Sequence, residues 1–287
     1  TSGDLKVNSG TLSGVWATGG TLNQSPDRTD VGGFGTKTAA ICAGCTPGGG
    51  DASITESYNG TSWTEVNNMN SGRTGGSAAG TQTDGLLAGG LPGYQSTAET
   101  WNGTNWTSIS NMNSSKRYNN SAGNSTSALI FSGYRFPPGP LVETELWNGS
   151  NWTEVNDMNV ARYYGVGDGT STAALSASGD GSDNQTELWN GTNWTSVSNM
   201  PSGSLKGAGG GTTTSFFVQG GEPPPNGSTK TQFYNGSSWT EGAATNSPHI
   251  EGSGAGSANS DAIVFAGFNK PTEEFSETGG IRTIDAS

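Results

Sequence analysis

The sequence has few charged residues, two cysteines and one histidine. Charged residues make up 13% of the 287 positions, and the histidine is His249. Two cysteines are too few for a disulfide framework, and a single histidine leaves a histidine-ligated metal site without its ligands. No apolar run approaches the roughly 20 residues that a membrane-spanning helix needs. We therefore expect no metal, no cofactor and no membrane insertion.

Basic residues are scarce as well. The chain has 12 Lys and Arg against 24 Asp and Glu, which gives a formal net charge of −12. Proteins that bind nucleic acids neutralise phosphates with Lys and Arg, and in this chain these residues are spread out without a basic run. The sequence therefore predicts no nucleic-acid partner.

Hydrophobic residues are also few, at 30%, but the chain does not have the composition of a disordered protein. Disordered segments contain few aromatic residues, whereas this chain has nine Trp, nine Phe and seven Tyr among its 48 Gly. The aromatic residues recur at regular spacing. Periodic aromatics among small residues indicate closely stacked sheets with many tight turns.

One repeat accounts for this spacing. Its most recognisable segment, such as ELWNGTNWTSV from Glu187, occurs five times. The second aromatic of the segment is Trp63, Trp106, Trp152, Trp194 or Trp239, at separations of 43, 46, 42 and 45 residues, and Trp16 lies 47 residues before Trp63. All nine Trp occupy one of the two aromatic positions, and each of the four Met follows a Trp by six residues.

Each repeat predicts four short strands. A small-residue strand is followed by an apolar strand that ends in Gly, a variable loop, an aromatic strand and the Trp strand. Asn-Gly joins the last two strands and predicts a type I′ hairpin turn. Four strands per period of about 45 residues is the signature of a β-propeller blade. The small strand would be innermost, because blades converge at the axis.

The sequence thus predicts an all-β, six-bladed propeller of four-stranded antiparallel blades in one domain, residues 1–287. The repeat units span approximately residues 28–69, 73–112, 117–158, 162–200, 206–245 and 249–287. Residues 1–27 would close the last blade, with the Trp16 strand beside the strand that contains Phe275. Alternatively, the segment from Ile281 to Ile284 fills that place.

The apolar strand that ends in Gly-Gly, followed by an aromatic and then a Trp, resembles the kelch repeat. The doublet is complete at Gly89-Gly90 and Gly220-Gly221 and degenerate at Ser132-Gly133 and Ser178-Gly179. The sequence motif NGTNWT…M-N-x-x-R resembles the repeats of kelch-like propeller proteins of marine tailed bacteriophages. These proteins are thought to be virion or tail-appendage components. This resemblance implies a location on a virion, with other virion proteins or host-surface glycans as partners. Further copies of the chain could also be partners.

Several residues could carry chemistry, but a structural role is the simpler interpretation for each. Cys42 and Cys45 form a CxxC pair, and their odd offset along a strand predicts side chains on opposite faces. We expect a buried free Cys42 and a free Cys45 in a turn. One Glu recurs at the same position of each typical blade, as at Glu99, which is typical of a structural fixture. No catalytic residue is predicted.

The basic residues are more informative, because the loop into each innermost strand opens on one face of a propeller. We predict a ring of basic side chains around the channel mouth on that face: Arg28, Arg73, Arg117, Arg162, Lys206 and His249. Variable loops beside them, where binding usually evolves, carry Tyr94, Tyr134, Arg135 and Phe136. Such a ring would favour an anionic partner. The alternative is that each basic group pairs with an acidic neighbour and is structural.

Three functions remain open from the sequence. The first is a non-catalytic propeller on a phage particle, in its tail or associated with its capsid, that mediates assembly or host-surface contact. The second is a soluble glycan-binding lectin or adhesin that uses the same loop face. The third is a propeller enzyme acting on sugars, which the scarcity of histidine and the absence of an acid–base cluster outside the repeat argue against.

Overall fold

The computed structural model describes residues 14–23, 27–45, 52–180, 184–222, 227–258, 260–268 and 271–278. Within these ranges the regular structure is β, and six sheets of four antiparallel strands form a ring. The innermost strand of each sheet contacts the innermost strands of both neighbours, and the sixth contacts the first. The chain is a six-bladed β-propeller, as the repeat predicted.

Blades 1 to 3 follow each other along the first half of the chain, and the strands of each run from innermost to outermost. Those of blade 1 are Gly32–Thr36, Ala39–Cys45, Ala52–Tyr58 and Trp63–Val66. Those of blade 2 are Ser77–Thr81, Asp84–Ala88, Ala98–Trp101 and Trp106–Ile109. Those of blade 3 are Asn120–Gly123, Ala128–Phe131, Thr144–Trp147 and Trp152–Val155. A two-residue pair, Tyr134–Arg135 with Gly139–Pro140, lies between its second and third strands.

Blades 4 to 6 complete the ring, with their strands in the same order. Those of blade 4 are Val166–Thr170, Ala173–Ala177, Thr186–Trp189 and Trp194–Ser196. Those of blade 5 are Ala208–Thr212, Ser215–Gln219, Thr231–Tyr234 and Trp239–Glu241. Those of blade 6 are Ser253–Ala258, Asp261–Phe265, Glu273–Glu277 and the N-terminal Gly14–Thr18. A short pair, Asp27–Arg28 with Gly267–Phe268, joins blades 1 and 6.

The two ends of the chain share blade 6. Gly14–Thr18 pairs antiparallel with Glu273–Glu277, and Trp16 lies directly opposite Phe275. The prediction that the N-terminal strand closes the ring is confirmed. The alternative strand, from Ile281 to Ile284, lies outside the described residues. Closure by a shared blade leaves no unpaired sheet edge at the junction of the two ends.

Small residues line the axis because innermost strands approach one another closely. A Cβ added at Gly254 of blade 6 would lie only 2.7 Å from the backbone nitrogen of Gly209 in blade 5. A real side chain cannot occupy that space. Gly, Ala and Ser in the innermost strands are therefore required by the convergence of six blades.

The Trp of each fourth strand fills the contact between two blades. Its side chain is 4 to 7% exposed in all six blades. Each of these Trp belongs to a hydrophobic cluster of buried residues drawn from two adjacent blades. The indole N–H usually donates across the same contact, as from Trp106 in blade 2 to Thr55 Oγ1 in blade 1, 3.0 Å away. The ring is held together by six such interfaces.

The Asn-Gly hairpins differ from the predicted type I′ turn. In blade 1 the last paired residues are Tyr58 and Trp63, so the loop has four residues. Gly60 has a φ of +88°, but Asn59 is not in the left-handed region. Instead, Asn59 Oδ1 accepts the backbone N–H groups of Thr61 and Ser62, at 3.0 and 2.9 Å. Asn is therefore favoured at this position because its side chain caps the turn, and not because it tolerates a positive φ.

The two cysteines also differ from expectation in two respects, their strand position and the face to which their side chains point. Both are free and fully buried, but Cys45 ends the strand Ala39–Cys45 and is not in a turn. The strand register shifts between Ala43 and Cys45, and Gly44 has a φ of +71°. This irregularity breaks the alternation of side chains, so Cys42 and Cys45 both lie in the cluster between blades 6 and 1. Burial raises the pKa of Cys42 to about 12.

Candidate binding face at the channel mouth

Four of the six predicted mouth residues are buried in ion pairs. In five blades a basic residue ahead of the innermost strand meets a carboxylate of the third strand, and we name these pairs the clamps. They are Arg28–Glu56 at 2.6 Å, Arg73–Glu99 at 2.8 Å, Lys116–Glu145 at 3.5 Å, Arg162–Glu187 at 2.6 Å and His249–Glu273 at 3.1 Å. Every side chain in them is at most 2% exposed. The prediction that Arg28, Arg73, Arg162 and His249 line the mouth is therefore wrong.

Each clamp also fixes the linker that arrives from the preceding blade. In blade 6, Glu273 accepts the backbone N–H groups of Asn246 and Ser247 at 2.7 and 2.9 Å. Burial alone would raise the pKa of Glu273, but the hydrogen bonds from His249, Asn246 and Ser247 lower it below its ordinary value. The recurring Glu thus anchors a blade to its neighbour, which is the structural role that the sequence indicated.

Blade 5 has lost both charges of its clamp. Gln232 replaces the Glu, and Ser204 takes the place of the basic residue, ten residues after Trp194. Gln232 still holds the linker, because its Oε1 accepts the Ser202 N–H at 3.0 Å and its Nε2 donates to the Ser202 carbonyl at 3.1 Å. The cation and the anion are therefore absent together, as expected if neither is tolerated alone in a buried site.

The residues two positions after the basic residue of each clamp, and after Ser204 in blade 5, form the channel mouth. They are Asp30, Gly75, Tyr118, Tyr164, Lys206 and Glu251, and we name them the mouth ring. All six have a positive φ, between 53° and 65°. Each donates its backbone N–H to the carbonyl of the equivalent residue in the preceding blade, at 2.6 to 3.1 Å, and the six hydrogen bonds close a circle. Lys206 therefore belongs to the mouth ring and not to a clamp.

Side chains of the mouth ring also interact from blade to blade. Tyr118 and Tyr164 stack with ring centroids 3.9 Å apart, and Lys206 Nζ lies 4.9 Å from the Tyr164 centroid. Lys206 also pairs with Glu251 at 2.6 Å. Burial, together with the Glu251 carboxylate, raises the pKa of Asp30 to about 7. The mouth thus carries two acidic groups, one of which titrates near neutrality.

Asp30 should make the stability of the propeller depend on pH. Because its pKa is raised in the folded state, the folded protein binds the Asp30 proton more tightly than the unfolded chain does. This contribution to stability is present below the unfolded pKa of about 4 and is lost as pH rises through about 7. At pH 8 we expect the free energy of unfolding of Asp30→Asn to exceed that of the wild type by about 2–4 kcal/mol. The two values should converge towards pH 4.

Urea titrations between pH 4 and pH 8 measure this difference directly. Asp157 is exposed, so Asp157→Asn serves as the matched control and should follow the wild-type curve. A constant difference between Asp30→Asn and the wild type across this range would contradict the prediction.

Five of the seven tyrosines of the chain gather on one sector of the mouth face. Tyr58 and Tyr234 are the aromatics of repeat segments; the remaining five come from blades 2, 3 and 4. They are Tyr94, Tyr118, Tyr134, Tyr163 and Tyr164, and we name them the tyrosine cluster. Successive ring centroids lie 3.9 to 6.4 Å apart. All five side chains are partly exposed.

Arg117 lies at the centre of the tyrosine cluster. Its guanidinium carbon is 4.9 Å from the Tyr118 centroid, 5.1 Å from that of Tyr94 and 5.5 Å from that of Tyr134. Within the described ranges no carboxylate lies within 4.0 Å of it, and its buried Nε has no hydrogen-bond partner. Sequence alignment had placed Arg117 in the basic position of its blade; Lys116, ten residues after Trp106, occupies that position instead.

The structure brings only some of the predicted loop residues to this cluster. Tyr94 and Tyr134 belong to it, whereas Arg135 pairs with Glu143 at 2.6 Å. Phe136, in the same loop, is 68% exposed. Sequence reasoning missed Tyr118, Tyr163 and Tyr164. Their signal was available in the sequence, because they are tyrosines outside the repeated aromatic positions and lie one or two residues after Lys116 or Arg162.

An exposed acidic group borders the cluster. Asp180 forms a β-bridge with Tyr163, and its carboxylate accepts a hydrogen bond from the Tyr163 hydroxyl. That hydrogen bond, with burial, raises the pKa of Tyr163 to about 12. The sector therefore combines aromatic faces, a cation that no described carboxylate pairs, and a hydrogen-bond acceptor.

Comparisons with known proteins give no further guide to this surface. No protein-family model and no curated protein matches the chain.

Across the residues that the structure describes, no three or more His, Cys, Asp or Glu side chains are grouped so as to hold a metal ion. The same residues contain no helix long and apolar enough to cross a membrane.

Proposed function

We propose that the chain is a non-catalytic binding propeller that recognises its partner through the tyrosine cluster. The observation that carries the proposal is the convergence of every tyrosine outside the repeat positions on one exposed sector. Tyr supplies a large amphipathic surface at low cost in side-chain entropy and is enriched where proteins bind other molecules. In the described clamps, the recurring Glu side chains are paired, which supports a non-catalytic role for them.

The ligand of this face would bind on the surface and not inside the channel. The cavity along the axis has a volume of about 120 Å³, whereas small-molecule pockets usually enclose about 300–1,000 Å³. An extended surface of rigid aromatic side chains suits a large ligand, such as a host-surface glycan or a neighbouring protein. The rigid ring of blades supports such a surface well, because loops on a fixed scaffold can vary without changing the fold.

We further propose that the propeller is a component of a tailed-phage particle, in the tail or on the capsid. The resemblance of its NGTNWT…M-N-x-x-R segments to kelch-like phage propellers supports this location. Mass spectrometry of purified particles should find the chain at a fixed copy number per particle. Recovery of the chain only in the soluble fraction of the lysate would contradict the particle location and favour a soluble lectin.

The binding face can be tested by attachment of labelled protein to host cells. We expect Tyr134→Ala to reduce attachment at least tenfold without lowering the melting temperature appreciably, because Tyr134 is partly exposed. Val15, 53% exposed on the outer strand of blade 6, provides the control Val15→Ala, which should attach normally. Unchanged attachment by Tyr134→Ala and by Tyr94→Ala would refute the proposed face.

A further inference from the structure

Arg117 differs from the other arginines of the described chain. Arg28, Arg73, Arg135 and Arg162 each have a carboxylate oxygen within 2.8 Å. Arg117 has none within 4.0 Å among the described residues, although the protein has twice as many acidic as basic residues. Its guanidinium touches aromatic faces, which stabilise a cation but accept no strong hydrogen bond. The side chain therefore presents a charged, planar set of donors with no described carboxylate within 4.0 Å, although its charge acts on the Asp30 carboxylate and opposes the rise of the Asp30 pKa.

A partly buried guanidinium without such an acceptor is prepared to receive an anion. Burying a hydrogen-bonding group without a partner is unfavourable, and Nε of Arg117 is buried in this way, as is Nε of Arg28. Because a buried Nε is out of a ligand's reach, an anion would bind the two terminal nitrogens of Arg117. The planar fork of Arg matches a carboxylate with two parallel hydrogen bonds. The acceptor that the described fold does not supply would then come from the ligand.

The surroundings of Arg117 match a sugar ring better than an acidic side chain alone. Tyr118 and Tyr164 stack on each other, but Tyr94, Tyr134 and Tyr163 are also partly exposed, and a free tyrosine face can stack on the C–H groups of a pyranose. The exposed Asp180 carboxylate, beside Tyr163, can accept hydrogen bonds from sugar hydroxyls. An aspartate or glutamate of a partner protein would satisfy Arg117 but would leave most of this aromatic surface uncovered.

We propose that the tyrosine cluster binds a carboxylate-bearing sugar, with the carboxylate on Arg117 and the pyranose ring on a tyrosine face. The proposal rests on the proposed function, since it assigns a ligand class to the same face. Uronic acids and sialic acids share this chemistry. The other described sectors of the mouth lack the combination, because the second mouth cation, Lys206, is already paired with Glu251 at 2.6 Å.

Calorimetric titration with matched acidic and neutral ligands tests the assignment. One arm uses tetragalacturonate and its methyl ester, which keeps the rings and removes the charge. The other arm uses sialyllactose and its methyl ester, which likewise keeps the rings and removes the charge. In at least one arm we expect the acidic ligand to bind at least tenfold more tightly than its neutral counterpart. The arm that shows the difference identifies the source of the carboxylate.

Variants then assign the effect to residues. Arg117→Gln should abolish the preference for the acidic ligand, and Tyr134→Ala should weaken both the acidic and the neutral ligand. Lys230 is exposed and remote in sequence from the cluster, so Lys230→Gln is the control cation and should bind as the wild type does. Melting temperatures of all variants establish that each is folded.

The outcomes separate this proposal from the proposed function. Equal affinity for acidic and neutral ligands, or an acid preference that survives in Arg117→Gln, would overturn the role of Arg117. Absence of sugar binding, with host attachment still lost in Tyr134→Ala, would overturn the sugar and indicate an acidic protein segment as ligand while the binding face stands. Normal host attachment by the tyrosine variants would overturn both.

Discussion

Replacing Arg162 by Ser should lower the free energy of unfolding by about 3–5 kcal/mol, because it leaves a buried carboxylate without its partner. Arg162 and Glu187 are both fully buried and lie 2.6 Å apart. Arg162 also donates to the carbonyl of Gln185 at 3.0 Å. The double variant Arg162→Ser with Glu187→Gln, which copies the clamp of blade 5, should be much less destabilised than the single variant.

Urea unfolding followed by circular dichroism provides the four free energies of this double-mutant cycle. A Gln at 187 can still accept the Asn159 N–H, which Glu187 now receives at 2.8 Å, as Gln232 does for Ser202 in blade 5. We therefore expect a coupling energy of about 2–3 kcal/mol between the two sites. Additive losses would show that the ion pair has no net role beyond two independent side chains.

The fold was predictable because the repeat places the same residue types at the same distances. Six Trp at spacings of 42 to 47 residues require six equivalent units. A Trp16 strand without inner strands before it favoured closure by the N-terminus over the segment from Ile281 to Ile284, and the pairing of Trp16 with Phe275 confirms it. The hairpin turn was not predictable from Asn-Gly alone. Pairing of Tyr58 with Trp63 makes the loop four residues long, and this register depends on how the two strands pack against the blade.

The clamps could have been read more accurately from the sequence. A strict spacing of ten residues after the Trp of blades 1 to 5 selects Arg73, Lys116, Arg162, Ser204 and His249, whereas Arg28 follows Trp16 by twelve. The predicted ring instead took Arg117, one residue after Lys116, and Lys206, two residues after Ser204, and both lie on the mouth face. The burial of the clamps was harder to predict from the sequence. It depends on the third-strand Glu facing the linker that arrives from the preceding blade.

The tyrosine cluster was only partly predictable for a geometric reason. Tyr94 lies in a loop of blade 2, Tyr118 and Tyr134 in blade 3, and Tyr164 in blade 4, so their contacts depend on the rotation between blades. The mouth ring joins the same blades through a circle of backbone hydrogen bonds between residue types as different as Gly75, Tyr118 and Lys206. The amino-acid types at these positions therefore do not predict this backbone geometry.

The Trp residues of the blade interfaces should contribute as strongly to stability as the clamps do. Trp194→Ala should lower the free energy of unfolding by about 3–5 kcal/mol, because it leaves a cavity between blades 3 and 4. Trp194 is 5% exposed, and its ring centroid lies 4.8 Å from that of Phe131 in blade 3. Its indole N–H donates to Thr144 Oγ1, also in blade 3, at 3.1 Å.

Trp194→Phe separates packing from the hydrogen bond. Phe keeps most of the aromatic volume but leaves Thr144 Oγ1 without its donor, so we expect a smaller loss of about 1–3 kcal/mol. The next residue, Thr195, is exposed, and Thr195→Ala should change stability by less than about 0.5 kcal/mol. Circular dichroism avoids a signal that depends on the removed Trp. A loss below about 1 kcal/mol for Trp194→Ala would mean that the blade interfaces tolerate cavities, and that the ring is held instead by the clamps and the mouth ring.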